Sequence, residues 1–240
     1  MTQEKVIGIL GGMGPEATAD LFMEITRHTE AQTDQDHFRI LVDSNAKIPS
    51  RQAAVLEGGP DPTSALVATA RALEQAGADF LVIPCNSAHI LLEAVQASVQ
   101  IPILSIVEAT VEEIQAQTPD ARQVGLLAST AIVQSGLYTL ALARRGMATL
   151  LPDAAAQARV LESIFAVKAG HKGQAVKAAL AAVVADLVQQ GAQAVILACT
   201  ELPLVLHDGD AAVPLVNPTA ALARAAVREA GGEAKLRPAP

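Results

Sequence analysis

The 240 residues carry 25 acidic and 17 basic side chains, a net charge of -8 and 51% apolar content, with no Trp and one Tyr. This balance argues against nucleic-acid and anionic-membrane partners, which need a positive field and, for single strands, aromatic platforms. The apolar runs are broken by Gln, Asp or Lys before the roughly 18 to 20 residues a bilayer span needs, and the start MTQEK lacks the basic-then-apolar build of an export signal. The expectation is a cytoplasmic, globular protein with reduced thiols.

In chain order, apolar β-rich runs at 5–10, 38–42, 79–84, 101–105, 123–128, 148–151, 194–198 and 212–216 read as strands. Helical patterns cover 15–29, 63–76, 131–145, 174–190 and 218–230. Alternation of near-continuous apolar strands with helices specifies the α/β class, with parallel sheet covered on both faces.

The chain also repeats itself. VIGILGGMGP is echoed by QVGLLASTAI and FLVIPCNSAH by VILACTELPL, with 77 residues from Gly8 to Cys85 and 74 from Gly125 to Cys199. Two similar parallel-sheet domains follow, 1–107 with 217–240 and 108–216, related by a pseudo-two-fold duplication. Each places a Gly-rich or Ser/Thr-rich turn after its first strand and a cysteine after a later one. Ligands of open parallel sheets bind beyond the carboxyl ends of the strands, so the four turns are expected to line one cleft between the domains.

The only two cysteines thus occupy matching places. Alone, each would read as a small buried hydrophobe. Each also ends an apolar strand before residues suited to a helix N-cap, where backbone N–H groups and the helix dipole favour thiolate. Two facing thiols suit inversion of a carbon stereocentre: one base removes the proton from one face while an acid returns one from the other. The carbanion beside a carboxylate then needs N–H and hydroxyl donors, which the turns supply.

GGMGPEAT with PCNSAH, KIPSR, VKAG and ACTELP resembles the aspartate/glutamate racemase family, and within it the aspartate racemase branch. The resemblance covers nearly the whole chain, with the motifs in the expected order. It implies a cofactor-independent two-base racemase of two α/β domains, a homodimer, acting on a small acidic amino acid, aspartate first and glutamate next. By position it implies Cys85 and Cys199 as the acid/base pair, Arg51 as a substrate-carboxylate ligand and Lys168 in similar work. Met13 and Gly14 match the first cleft loop, Asn86 and Ser87 the second, Ser129 lies in the Ser/Thr turn of the second half, and Thr200 with Glu201 belongs to the last. Asn45-Ala46, Ser50 and Phe165 depart from the residues common in relatives, at or behind the carboxylate region. They bear on which amino acid is taken and leave the reaction alone. Alternatives are a relative running hydantoin racemisation or maleate isomerisation in the same cleft, and a catalytically silent amino-acid-binding protein.

Taken singly, Arg51 and Lys168 read as surface cations, Lys168 in a short Gly/His/Lys-rich loop; together they would clamp both carboxylates of a dicarboxylic amino acid. Glu201 either caps the helix after Cys199 or acts on that thiol, holding it protonated or relaying a proton. His89, four residues after Cys85, reads as a packed or capping histidine, and His171 and His207 as solvent-facing. Gly12 to Ala17 satisfies the dinucleotide pattern G-x-G-x-x-G/A, but Asp43 follows Gly14 by 29 residues instead of about 20. The turn therefore reads as a carboxylate cradle with Pro15 opening a helix, and neither cofactor nor metal is expected, since no zinc-type Cys/His spacing occurs.

Overall fold

The computed structural model describes residues 4–232 and 235–236. The chain divides into two compact units, Met1–Ile106 with Thr219–Pro240, and Val107–Pro218. The first contains β1 (Ile7–Gly11), α1 (Pro15–His28), β2 (Ile40–Ser44), α2 (Arg51–Leu56), α3 (Thr63–Gln75), β3 (Phe80–Val82), α4 (Leu92–Gln96) and β4 (Ile103–Leu104). After α5 (Ile106–Gln117), the second contains β5 (Gln123–Ala128), α6 (Thr130–Ser135), α7 (Leu137–Arg144), β6 (Ala148–Leu150), α8 (Ala154–Lys168), α9 (Gln174–Gln189), β7 (Ala194–Ala198) and β8 (Leu215–Val216). The last helix, α10 (Pro218–Gly231), is tied to the first unit where Lys5 N–H donates to the Ala230 carbonyl at 3.0 Å.

Each unit is a four-stranded sheet, ordered β2-β1-β3-β4 in the first and β6-β5-β7-β8 in the second. Every pairing is parallel, with Ile7 opposite Ile40 and Phe80 in one sheet and Val124 opposite Ala194 in the other. The fold is therefore α/β, as the alternation specifies. The inner strands β1, β3 and β7 are buried along their whole length, the condition for a parallel sheet covered on both faces. α3 buries Leu66, Ala70 and Leu73 and α8 buries Ala156, Val160, Ile164 and Val167, in each case one helical stripe laid on the sheet.

Several elements differ from expectation. Strands β4 and β8 shrink to two residues each because Pro102 and Pro214 precede them. A proline accepts but cannot donate, and both carbonyls do accept, from Leu81 N–H at 2.8 Å and Val195 N–H at 3.0 Å. The expected helix over 131–145 is broken into α6 and α7 by Gly136, which takes φ 68° and serves as the C-cap of one and N-cap of the other. The helices α2, α4, α5 and α8 have no counterpart among the expected elements, and α8 is the longest of them. Asp153 caps it by accepting from Ala156 N–H at 2.7 Å.

The glycine turn after β1 is built for close approach. Gly12 has φ +93°, and a Cβ there would lie 2.2 Å from the Asn45 backbone carbon. Gly12→Ala is therefore expected to lower the unfolding free energy by roughly 3 kcal/mol, combining left-handed strain with overpacking. Urea unfolding checks it, and an unchanged midpoint would contradict the packing described.

Candidate active site

In both sheets the strand that pairs with the first one carries a cysteine just beyond its carboxyl end. Cys85 follows β3 by three residues and Cys199 follows β7 directly. The turn after the first strand is Gly12 to Gly14 in one unit and Ser129 in the other. Parallel strands gather these turns at one edge of each sheet, so each unit presents its own thiol beside its own small-residue turn.

Cys199 is the more elaborated of the two. Its Sγ donates to Glu201 Oε2 at 2.9 Å, and the other oxygen of that buried carboxylate, Oε1, pairs with Lys168 Nζ at 3.7 Å. Thr200 Oγ1 lies 3.4 Å from Glu201 Oε2. Burial, and after it the adjacent Glu201 charge, pushes the Cys199 thiol well up, against a smaller opposing pull from Lys168. The expectation that a helix start lowers its pKa is thus overturned for Cys199. The element following it is a single 3-10 turn, Leu202–Leu204, which supplies little dipole, whereas the carboxylate is in contact. Glu201 makes no side-chain cap to that turn, so of its two readings the one directed at the thiol fits the geometry. Lys168 is not in a loop: it is the last residue of α8, whose capped start fixes where the chain delivers it.

Cys85 is 6% exposed and packs with Met13, Ile48 and Ala88 in the core of the first unit. It is the N-cap residue of the 3-10 helix Asn86–Leu91, so Asn86 and Ser87 are its first residues, not its caps. His89 is a packed histidine. Its Nε2 accepts from Ile106 N–H at 3.0 Å, which leaves Nδ1 to donate to the Cys85 carbonyl at 2.9 Å and fixes the neutral tautomer. The ring thereby holds the backbone of the cysteine.

Burial depresses the His89 pKa below its ordinary 6.5. The unfolded ring therefore takes up a proton first as the pH falls, so its contribution to stability is complete above about pH 6.5 and is lost progressively below it. Denaturant midpoints at pH 7.5 and 5.5 are expected to fall with acidity in the native chain and to fall less in His89→Gln. Equal slopes would show that the ring is not the group responsible.

The glycine turn is partly committed. Gly12 N–H donates to Thr18 Oγ1 at 2.8 Å, and that hydroxyl donates to the Gly14 carbonyl at 2.9 Å, so the Gly12 amide is not open to an anion. Arg51 opens α2 behind Ser50, whose hydroxyl accepts from Ala53 N–H at 3.2 Å and keeps the cap that an Asp would make. Arg51 Nη1 donates to the Ile48 and Pro49 carbonyls at 3.2 and 2.6 Å, while its Nε is buried without a partner among the described residues. Ser129 Oγ is likewise buried and unpaired among the described residues. Thus Cys199, Thr200, Glu201 and Lys168 form one cluster in the second unit, and Arg51 and Ser87 border one pocket in the first.

Gln157 was missed by sequence reasoning. From α8 its Nε2 donates to the Ala128 carbonyl at 3.0 Å, at the end of β5, and its Oε1 is buried and unpaired among the described residues. A lone Gln in a helix carries no motif, and only knowing that 154–168 is a helix would have placed it. Among the described residues no cluster could hold a metal ion, and no helix is long and apolar enough to cross a membrane.

Two α/β units, each built on a four-stranded parallel sheet, are the fold shared with racemases of known structure. A model of the Asp/Glu/hydantoin racemases matches residues 10–226, and the chain belongs to that family. It is 30% identical over 226 residues to the broad specificity amino-acid racemase RacX of Bacillus subtilis (strain 168), a match spanning 92% of this chain and 96% of that one. Among solved structures it is similar to Picrophilus torridus aspartate racemase, with a TM-score of 0.86 and 31% identity over 97% of this chain and 96% of that one. An aspartate racemase homologue from Pyrococcus horikoshii OT3 matches with a TM-score of 0.76 and 26% identity, covering 94% and 99%.

Proposed function

We propose that the chain is a cofactor-independent amino-acid racemase that interconverts L- and D-aspartate, and glutamate next, by proton transfer between Cα and the two thiols. The observation that carries the reading is the placement of one cysteine beyond the corresponding strand of each sheet. In this mechanism a thiolate removes the α-proton, the opposite thiol delivers its own, and the intermediate carbanion is held as an enediolate by Arg51 and by hydroxyl donors such as Ser129. Cys199, hydrogen-bonded to Glu201 and pushed up in pKa, rests as the thiol. The roles of the two thiols exchange after each inversion.

Aspartate is supported by the aspartate racemase of Picrophilus torridus, the structural relative described above. Lys168 is paired with Glu201, so its charge is partly neutralised within its own unit and a second substrate carboxylate is not indispensable. That pair, with the broad specificity of the Bacillus subtilis relative, extends the reading to other amino acids. The test is chiral chromatography of L-aspartate incubated with the protein without added cofactor. Growth of D-aspartate towards an equal mixture supports the racemase, whereas saturable binding without conversion would make the protein a silent binder.

A further inference from the structure

The first unit holds a cavity of about 310 Å3 bounded by α2, the turn before α3 and the 3-10 helix that follows Cys85. Ala54, Val55, Pro62, Ile90 and Leu91 make its wall apolar. Two charged residues border it, Arg51 and Asp61. Asp61 is committed, because Oδ1 takes the Thr63 N–H at 2.9 Å and the Thr63 hydroxyl at 2.6 Å. Arg51 is incompletely satisfied: Nη1 is held by two carbonyls and the buried Nε has no partner among the described residues, a state that a carboxylate relieves. Ile90 and Leu91 lie on the 3-10 helix that begins at Cys85, so the thiol and the apolar wall are set by one stretch of backbone.

We infer that this cavity is a side-chain subsite for neutral aliphatic amino acids, the substrate carboxylate lying on Arg51 and the aliphatic group against Ala54, Val55, Ile90 and Leu91. The inference rests on the racemase reading and names a substrate class within it. The volume is about that of ten liquid waters, enough for a leucine or methionine side chain. The wall offers no cation apart from Arg51 for a second carboxylate, which favours a neutral side chain there.

The experiment compares L-leucine with L-aspartate by α-hydrogen exchange in deuterated water, and L-leucine binding by saturation-transfer NMR, in the native chain, Ala54→Leu and Val55→Glu. Ala54→Leu fills the cavity. Val55→Glu places a carboxylate at its rim, on a residue already 44% exposed and therefore tolerant of charge. Native protein is expected to exchange leucine, and the leucine-to-aspartate ratio of kcat/KM is expected to fall at least about tenfold in both variants, as apolar pockets discriminate. Aspartate exchange with neither exchange nor binding of leucine overturns the subsite and leaves the racemase standing, as does a ratio unmoved in both variants. Leucine bound, weakened by both variants, but exchanged by none keeps the pocket and overturns the racemase. Neither binding nor exchange of either amino acid overturns both.

Discussion

Cys85→Ser and Cys199→Ser are each expected to lower aspartate racemisation by at least about 10³-fold while leaving the fold intact. Serine matches cysteine in shape, but its hydroxyl does not ionise near neutral pH, so it serves neither as base towards Cα nor as an acid of matched strength. In the proposed two-base mechanism each face of the substrate carbon is served by its own thiol, so loss of either should stop inversion in both directions. The effect should be similar for the two variants although one thiol is 6% exposed within a core and the other is clustered with a carboxylate. Circular dichroism and the thermal midpoint separate lost chemistry from lost structure. A folded single variant retaining more than about a tenth of native activity would show that its cysteine is not an acid/base group.

The second large effect concerns the Cys199 environment. Glu201→Gln removes the charge that, after burial, holds the thiol up, so Cys199 should ionise at lower pH. Lys168→Met removes the opposing cation and should move ionisation higher. Both shifts are read as the pH dependence of iodoacetamide alkylation in a Cys85→Ser background, where Cys199 is the remaining thiol, and the first should be clearly towards lower pH. The second should be smaller and fade with salt, because the Lys168 side chain is 45% exposed and screened by solvent, whereas Glu201 is buried. Movement of both variants in the same direction would contradict the assigned cluster.

Much of this molecule is written in local patterns. The apolar strands and the duplicated spacing of Gly8 to Cys85 and Gly125 to Cys199 specify two parallel sheets because burial on both faces demands continuous hydrophobicity. What escaped the patterns depends on single groups whose effect is tertiary. Pro102 and Pro214 shorten strands by withholding a donor, and Gly136 splits a helix by taking a left-handed conformation. Asp153 starts α8 and thereby turns Lys168 from a loop residue into the end of a helix. The closeness of Cys199 and Glu201 in sequence, with Thr200 between them, raised their interaction as one of two readings. Only the observed bond at 2.9 Å and the missing cap selected between them. The pocket beside Arg51 had no sequence signature, since Ala54, Val55 and Ile90 are ordinary apolar residues until the fold sets them around a cation.

The most direct test of opposed thiols is the fate of the α-hydrogen at early times in deuterated water. With L-aspartate as substrate, two-base inversion should yield D-aspartate carrying deuterium at Cα while the remaining L-aspartate keeps its hydrogen, and the converse should hold from D-aspartate. Deuterium entering both enantiomers together from the first turnovers would instead mean that one group serves both faces, and the paired cysteines would lose their assigned roles.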